Sequence, residues 1–237
     1  MNKSLLIGLL LLMGLSYGFC QKHTWRVELA LNDRLTLPFF LEEVQTFESS
    51  QYYIHNGQES IPLICTKQKT DSLKLSFPEM DSYLVILKES IDVFRGYWKN
   101  NIKNQTIPLV GILNDTIRFP QINNGPPSTI ANKFRVIFSQ EEEPWPAVGL
   151  FEQTQNRLTG TFLTETGDFR FLSGNIYGYE LFLSCFDGSH AFVFTATVNQ
   201  DSLRGRFYSG SRYQTDWIGI ADEKASIKDP NKLTYIV

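Results

Sequence analysis

The sequence predicts an all-β protein whose antiparallel strands follow one another as a meander and form a barrel or a sandwich. From 134 to 221, short apolar runs rich in β-branched and aromatic residues alternate with turn residues at near-regular intervals. The same pattern runs from 25 to 113. No long window shows the period of an amphipathic helix, and the best helical candidate is the short segment 129–133.

The chain begins with a predicted signal peptide, residues 1–20. Lys3 precedes an apolar run from Leu5 to Leu15, and the small residues Gly18 and Cys20 occupy the two positions that a signal peptidase inspects. We therefore expect export to the periplasm or cell envelope, with cleavage before Gln21. The alternative is that Cys20 is the lipidated first residue of a lipoprotein, the one case in which we expect membrane attachment.

The remaining chain divides into two β halves. The N-terminal half covers 21–119 and contains Asn56-Gly57, which predicts a hairpin with a type I′ turn. Residues 120–132 are rich in Pro and Asn and predict an irregular connection. The C-terminal half covers 133–221, and the charged residues 222–237 resemble a linker.

The two halves resemble one another. Residues 73–98 can be laid over 181–210, because both segments read as a strand, a turn with Asp, an apolar strand, a polar turn and a strand with Arg-Gly. The match is compatible with an internal duplication or with chance similarity between two meanders.

The C-terminal half is rich in glycine and aromatic residues. Recurring glycine in a meander permits the coiling that closes a small barrel. The aromatic residues can fill the core, which is the favoured interpretation, or line a cavity for an apolar ligand. The glycines are Gly149, Gly160, Gly174, Gly178, Gly205, Gly210 and Gly219, and the aromatic residues are Phe162, Phe169, Phe171, Phe182, Phe192, Phe194, Phe207 and Trp217.

The composition excludes one class of partner. With 237 residues, of which 42% are hydrophobic, the chain can bury a sizeable core. Its net charge is -3 and its Lys and Arg residues form no cluster. We therefore expect no nucleic-acid partner.

No catalytic, cofactor-binding or metal-binding residue is predicted. The histidines at 23, 55 and 190 lack metal-ligand spacing. Asp187, Ser189 and His190 supply the residue types of a hydrolytic triad, but neighbours in one turn cannot form its relay, so a hairpin turn is predicted. The acidic run at 141–143 predicts a surface loop.

The two cysteines that remain after cleavage allow two states. Cys65 and Cys185 both lie in apolar runs, 120 positions apart. They can pair in an oxidising compartment, or they can be buried thiols.

Several stretches carry a family resemblance. They are Trp25–Glu28, Leu37–Phe39, Ile54–Glu59, Leu158–Leu172 and Leu183–Phe192. Together they resemble the N-terminal non-catalytic region of exported TlpA-like proteins, thioredoxin-fold thiol-disulfide oxidoreductases of the Gram-negative envelope. The resemblance spans Trp25 to Tyr235.

The resemblance implies an accessory role. In that family a segment similar to Asp229–Tyr235 leads into a thioredoxin-like domain whose C-x-x-C reduces disulfides, and this chain has no C-x-x-C. We therefore expect a non-enzymatic module that accompanies a following thioredoxin-like domain or docks an envelope client protein. The alternative is a stand-alone β-barrel that binds an apolar small molecule or lipid.

Overall fold

The computed structural model of the chain describes residues 21–47, 49–69, 72–113, 115–120, 125–139 and 144–227. Within these residues the protein contains sixteen strands and no helix. The first eight strands form one closed antiparallel barrel and the last eight form a second. The all-β prediction is therefore confirmed, and the two similar halves are two barrels.

The first barrel is built from the N-terminal half. Its strands are β1 (Gln21–Asn32), β2 (Leu35–Gln45), β3 (Ser50–Asn56), β4 (Glu59–Lys69), β5 (Ser72–Ser76), β6 (Ser82–Lys88), β7 (Val93–Asn100) and β8 (Gln105–Leu113). Strand β8 pairs with β1, which places Leu113 opposite Trp25 and closes the barrel. Large side chains such as Trp98 and Phe39 fill the interior, as an eight-stranded barrel requires.

The second barrel repeats this topology. Its strands are β9 (Lys133–Ser139), β10 (Trp145–Thr154), β11 (Arg157–Thr164), β12 (Phe169–Tyr177), β13 (Glu180–Phe186), β14 (Ala191–Asn199), β15 (Ser202–Ser209) and β16 (Tyr213–Ala221). Strand β16 pairs with β9 and places Trp217 opposite Phe138. A cluster of buried aromatic rings, including Phe162 and Phe194, fills the interior.

The segments that resemble one another in sequence occupy equivalent places in the two barrels. Strands β5, β6 and β7 are the fifth to seventh of the first barrel, and β13, β14 and β15 are the fifth to seventh of the second. Gly96 and Gly205 are equivalent. A Cβ at Gly96 would lie 1.8 Å from the Val85 carbonyl oxygen, and one at Gly205 would lie 1.9 Å from that of Thr195. Each barrel therefore needs a glycine where its sixth and seventh strands approach each other closely.

Strand β13 belongs to both hydrophobic cores. Leu183 and Cys185 point into the second barrel, whereas Phe186 on the opposite face packs among the core residues of the first. Its ring centroid lies 4.5 Å from that of Phe39 and 5.2 Å from that of Trp98. Phe186 is fully buried and closes one end of the first barrel.

The hairpin at Asn56-Gly57 forms, but the type I′ prediction is wrong. Gly57 is the first residue of a two-residue loop and has φ of 53°, whereas Asn56 is the last strand residue, paired with Glu59. Asn56 is held there because its buried amide donates to the Phe186 carbonyl oxygen at 2.8 Å and accepts from the Phe186 N–H at 3.1 Å.

The structure also decides the conformation of segment 129–133 and the state of the two cysteines. Segment 129–133 is not helical, because the Gln153 side chain bonds to the Ser128 carbonyl oxygen and to the Ile130 N–H in place of a helical turn. Cys65 and Cys185 do not form a disulfide. The predicted signal peptide, the acidic run 141–143 and the tail beyond 227 lie outside the described residues.

Candidate functional site

One end of the second barrel opens into a cavity of about 830 Å³. The turns β11–β12, β13–β14 and β15–β16 surround it, because an up-and-down meander brings alternate turns to the same end. Glu59 of the first barrel completes its rim. We call this cavity the aromatic mouth.

Aromatic rings form the wall of the aromatic mouth. The Phe169 ring centroid lies 5.2 Å from that of Phe192 and 5.0 Å from that of Phe207. The Tyr213 ring extends the wall 6.0 Å beyond Phe207 and is 37% exposed. Because Phe192 is only half-buried, the wall offers ring faces and edges to a bound molecule.

The floor of the mouth is closed by the barrel core. Trp145 stacks on Phe138 with the ring centroids 3.9 Å apart and the planes 10° from parallel. Phe138 is fully buried and contacts Phe162 and Phe194 deeper in the barrel. A ligand therefore has room at the mouth and not along the barrel axis.

A β-bulge shapes one side of the mouth. Phe162 pairs with Phe169 and Gly160 with Leu172, so that β12 carries one extra residue at this point. Phe171 adopts φ of 56°, a left-handed conformation that costs a bulky residue about 1–3 kcal/mol. The bulge leaves the Phe171 side chain 40% exposed at the cavity edge.

The polar rim is dominated by carboxylates. Asp168 pairs with Arg170, with Oδ2 and Nε 3.3 Å apart, and Asp187 Oδ2 lies 2.9 Å from His190 Nδ1. Glu59 accepts a hydrogen bond from the side-chain amide of Asn56 at 3.4 Å and forms no ion pair with a described residue. Three carboxylates against one guanidinium make this rim unfavourable for an anion.

Asp187 organises the β13–β14 turn. Its Oδ1 accepts hydrogen bonds from the Ser189 N–H at 2.8 Å and the His190 N–H at 2.6 Å. Burial alone would raise the pKa of Asp187, but the hydrogen bonds from His190 and Ser189 outweigh it and hold the pKa below its ordinary value. Asp187, Ser189 and His190 therefore form the predicted turn.

Replacing Asp187 by Asn should reveal this ionisation as a pH-dependent loss of stability. Because the folded-state pKa is lowered, the carboxylate stabilises the fold above its ordinary pKa of 3.8 and stops doing so as the pH falls through the folded-state value. We expect Asp187→Asn to reduce the free energy of unfolding by roughly 1 kcal/mol at neutral pH and by progressively less as the pH falls below 3.8. Urea denaturation at neutral pH and at the lowest pH at which the fold persists measures this, and an equal deficit at both would contradict it.

In Glu59 and Cys185 burial prevails over the opposing interactions, and the pKa of each group is raised. Burial raises the pKa of Glu59, and the negative charge of the nearby Asp187 raises it further. The hydrogen bond from Asn56 acts in the opposite direction and lowers this pKa. Burial raises the pKa of the Cys185 thiol to about 12, although the Arg118 guanidinium opposes the shift. The thiol is therefore protonated at neutral pH and is a poor nucleophile.

The structure separates the aromatic residues that the sequence grouped together. Phe162, Phe194 and Trp217 are buried in the core, and Phe169, Phe171 and Phe192 line the mouth. Phe207 is a buried core ring that also lines the mouth, and Phe182 stacks on Phe119 outside the barrel. Sequence reasoning missed Glu59, Trp145 and Tyr213. Glu59 comes from the other half of the chain, so no local sequence signal could have placed it at this site.

The described residues contain no group of three or more His, Cys, Asp or Glu side chains that could hold a metal ion. The histidines instead approach single carboxylates, such as Glu43 for His23 and Glu42 for His55. Within the described part of the chain, no helix has the length and apolar character needed to cross a bilayer.

Comparison with known proteins gives little further information. No family model and no curated protein matches the chain. The structure of intact Ap-TbpB, with its N and C lobes, aligns with 86% of this chain at 7% identity and a TM-score of 0.26, and the chain spans 49% of that protein's length. A "putative outer membrane protein" from Bacteroides fragilis aligns with 86% of this chain and 97% of its own length, at 10% identity and a TM-score of 0.27. Such low TM-scores do not establish a shared fold.

Proposed function

We propose that this protein is an exported binding module that holds a small apolar molecule in the aromatic mouth. The observation that carries the proposal is an open cavity of about 830 Å³ whose wall is a continuous set of aromatic rings. Cavities of this size, mostly apolar with a few polar groups, are typical of small-molecule sites.

The rim determines which apolar molecules are favoured. Glu59, Asp168 and Asp187 give the rim more negative than positive charge, and Glu59 has no cationic partner among the described residues. A neutral molecule with a hydrogen-bond donor, or a cation, is therefore favoured over an anionic lipid. Aromatic ring faces also attract cations.

The state of two reactive groups supports the proposed non-enzymatic role. The Cys185 thiol is buried, and the Asp187 carboxylate is bonded to backbone N–H groups of its own turn. Neither group is arranged as a nucleophile with a base. The proposed export rests on the N-terminal sequence.

A second proposal is the accessory role beside a thioredoxin-like domain, which rests on the sequence resemblance of 25–235 alone. It is tested by the intact mass of the product in its own cells. A larger species with a C-x-x-C in the added part would support the accessory role, and a mature product that ends at Val237 would count against it.

Replacing Tyr213 by Ser should weaken binding of a neutral aromatic probe. Tyr213 is an exposed ring at the mouth, and loss of one aromatic contact is expected to reduce affinity about fivefold. Fluorescence titration with N-phenyl-1-naphthylamine measures the dissociation constant. We also expect the anionic probe anilinonaphthalene sulfonate to bind more weakly than the neutral one.

The matched control is Tyr179→Ser, because Tyr179 is an exposed tyrosine in the β12–β13 turn at the opposite end of the barrel. This variant should bind the neutral probe as the wild type does. The proposal fails if the wild type shows no saturable binding, if both variants lose affinity equally, or if the anionic probe binds more tightly.

A further inference from the structure

A second cavity, of about 400 Å³, lies between the two barrels and shares no lining residue with the aromatic mouth. Two arginines, Arg118 from the connection after β8 and Arg157 from β11, contribute to its lining. Most of its other polar lining residues carry hydroxyl groups. These are Thr24, Thr116, Thr159 and Ser173.

Arg118 is buried and held in one position. Its Nε donates to Ser184 Oγ at 2.8 Å, one terminal nitrogen donates to the His55 carbonyl oxygen at 3.1 Å, and the other donates to Asn56 Oδ1 at 3.0 Å. The side chain is therefore fixed by groups from both barrels before any ligand arrives.

The positive charge of Arg118 is not neutralised by the described residues. All three acceptors are uncharged, and no described carboxylate forms an ion pair with it. Burial lowers the pKa of Arg118 to about 10, which leaves the guanidinium charged at neutral pH. The Phe40 ring, 5.7 Å from the guanidinium carbon, gives only a cation–π contact. A buried charge without a counter-ion is costly.

The Arg118 guanidinium also has N–H donors that make no hydrogen bond to the described residues. Arginine carries five N–H donors, and the three bonds to protein leave two of them without an acceptor among the described residues. The wall beside Arg118 is fixed as well, because Asn175 Oδ1 accepts from the Phe119 N–H at 3.0 Å and Tyr177 donates to the Phe119 carbonyl oxygen at 2.8 Å.

Arg157 adds a second cation at the exposed side of the same cavity. It forms no ion pair with any described carboxylate. Two unneutralised guanidiniums with hydroxyl groups around them supply donors suited to the oxygens of a phosphate or sulfate group.

We propose that this cavity is a binding site for a small oxyanion of the phosphate type, either free or as the charged group of a small organic molecule. Arg118 forms the buried end of the site and Arg157 the exposed end. The ligand supplies the negative charge that the described residues around Arg118 do not provide, and it joins residues of both barrels. Binding at this site is independent of the ligand proposed for the aromatic mouth.

The test is calorimetric titration of the full chain with inorganic phosphate and, separately, with glycerol 3-phosphate, at constant ionic strength. We expect saturable binding by the wild type and at least a tenfold weaker affinity for Arg157→Gln, which removes charge-assisted hydrogen bonds. Arg157 is exposed, so the variant should fold normally, which circular dichroism checks.

The matched control is Arg204→Gln, which removes the same charge from an exposed position on strand β15 of the same barrel. This variant should bind as the wild type does. Binding of inorganic phosphate would identify a free anion, and binding of glycerol 3-phosphate alone would identify the charged group of a larger molecule. Absence of saturable binding with both probes, or equal affinity of Arg157→Gln and the wild type, would overturn the proposal.

Discussion

Phe186→Ala should lower the free energy of unfolding by about 3–5 kcal/mol, the range found for large aromatic residues removed from a core. Phe186 is fully buried, and its ring contacts Phe39, Phe77 and Trp98 of the other barrel. The truncation leaves a cavity at the end of the first barrel. Since the residue lies on a strand of the second barrel, the loss also weakens the contact between the barrels.

Urea denaturation followed by tryptophan fluorescence measures the effect, because Trp98 lies against the Phe186 ring. The control is Phe182→Ala, four positions earlier on the same outward face of β13, where the ring is half-buried and stacks on Phe119. This variant should lower the free energy of unfolding by clearly less than Phe186→Ala does. If both truncations cost the same, Phe186 does not have the special role of closing the first barrel.

Gly205→Ala should destabilise the second barrel by an amount at or above the usual 1–3 kcal/mol for overpacking. The added Cβ would lie 1.9 Å from the Thr195 carbonyl oxygen and 2.8 Å from Trp217 Nε1. The first of these atoms is backbone, which a side-chain rotation cannot move. Strands β14 and β15 would therefore have to separate.

The control for this prediction is Gly219→Ala on the neighbouring strand β16, where the nearest atom to an added Cβ is Phe134 Cδ1 at 3.4 Å. This is an ordinary contact distance, so the thermal unfolding midpoint should change little. Gly96→Ala, the equivalent change in the first barrel, should behave like Gly205→Ala. A mild effect at both Gly96 and Gly205 would show that the strands do not approach each other as closely as described.

Much of the fold could be predicted because its turns are local. Gln155-Asn156 and Gln200-Asp201 form two-residue loops, and each loop begins with a residue at positive φ. Residues with turn propensity between apolar runs are sufficient to predict such hairpins. The recurring glycines were compatible with a barrel, one of the two predicted architectures, and Gly174 and Gly205 lie where a Cβ would collide with a neighbouring strand.

The sites could not be predicted because they depend on contacts between distant parts of the chain. The alternation of side chains along a strand predicts that Phe186 and Cys185 point to opposite faces of β13. It does not predict that the outward-facing Phe186 enters the hydrophobic core of the first barrel. Arg118 lies in the irregular segment after β8, between Ile117 and Phe119, and its acceptors come from β3 and β13. Only the packing of the two barrels brings these groups together.

The most direct test of the central claim is a nuclear magnetic resonance titration of the labelled protein with N-phenyl-1-naphthylamine, because it reports where the probe binds. Perturbed backbone amides should cluster in the turns at the aromatic mouth, at 165–168, 187–190 and 210–212. The turns at the opposite end, at 155–156 and 178–179, should be unaffected. Perturbation centred on those opposite turns, or none at saturating probe, would contradict a binding site in the mouth of the second barrel.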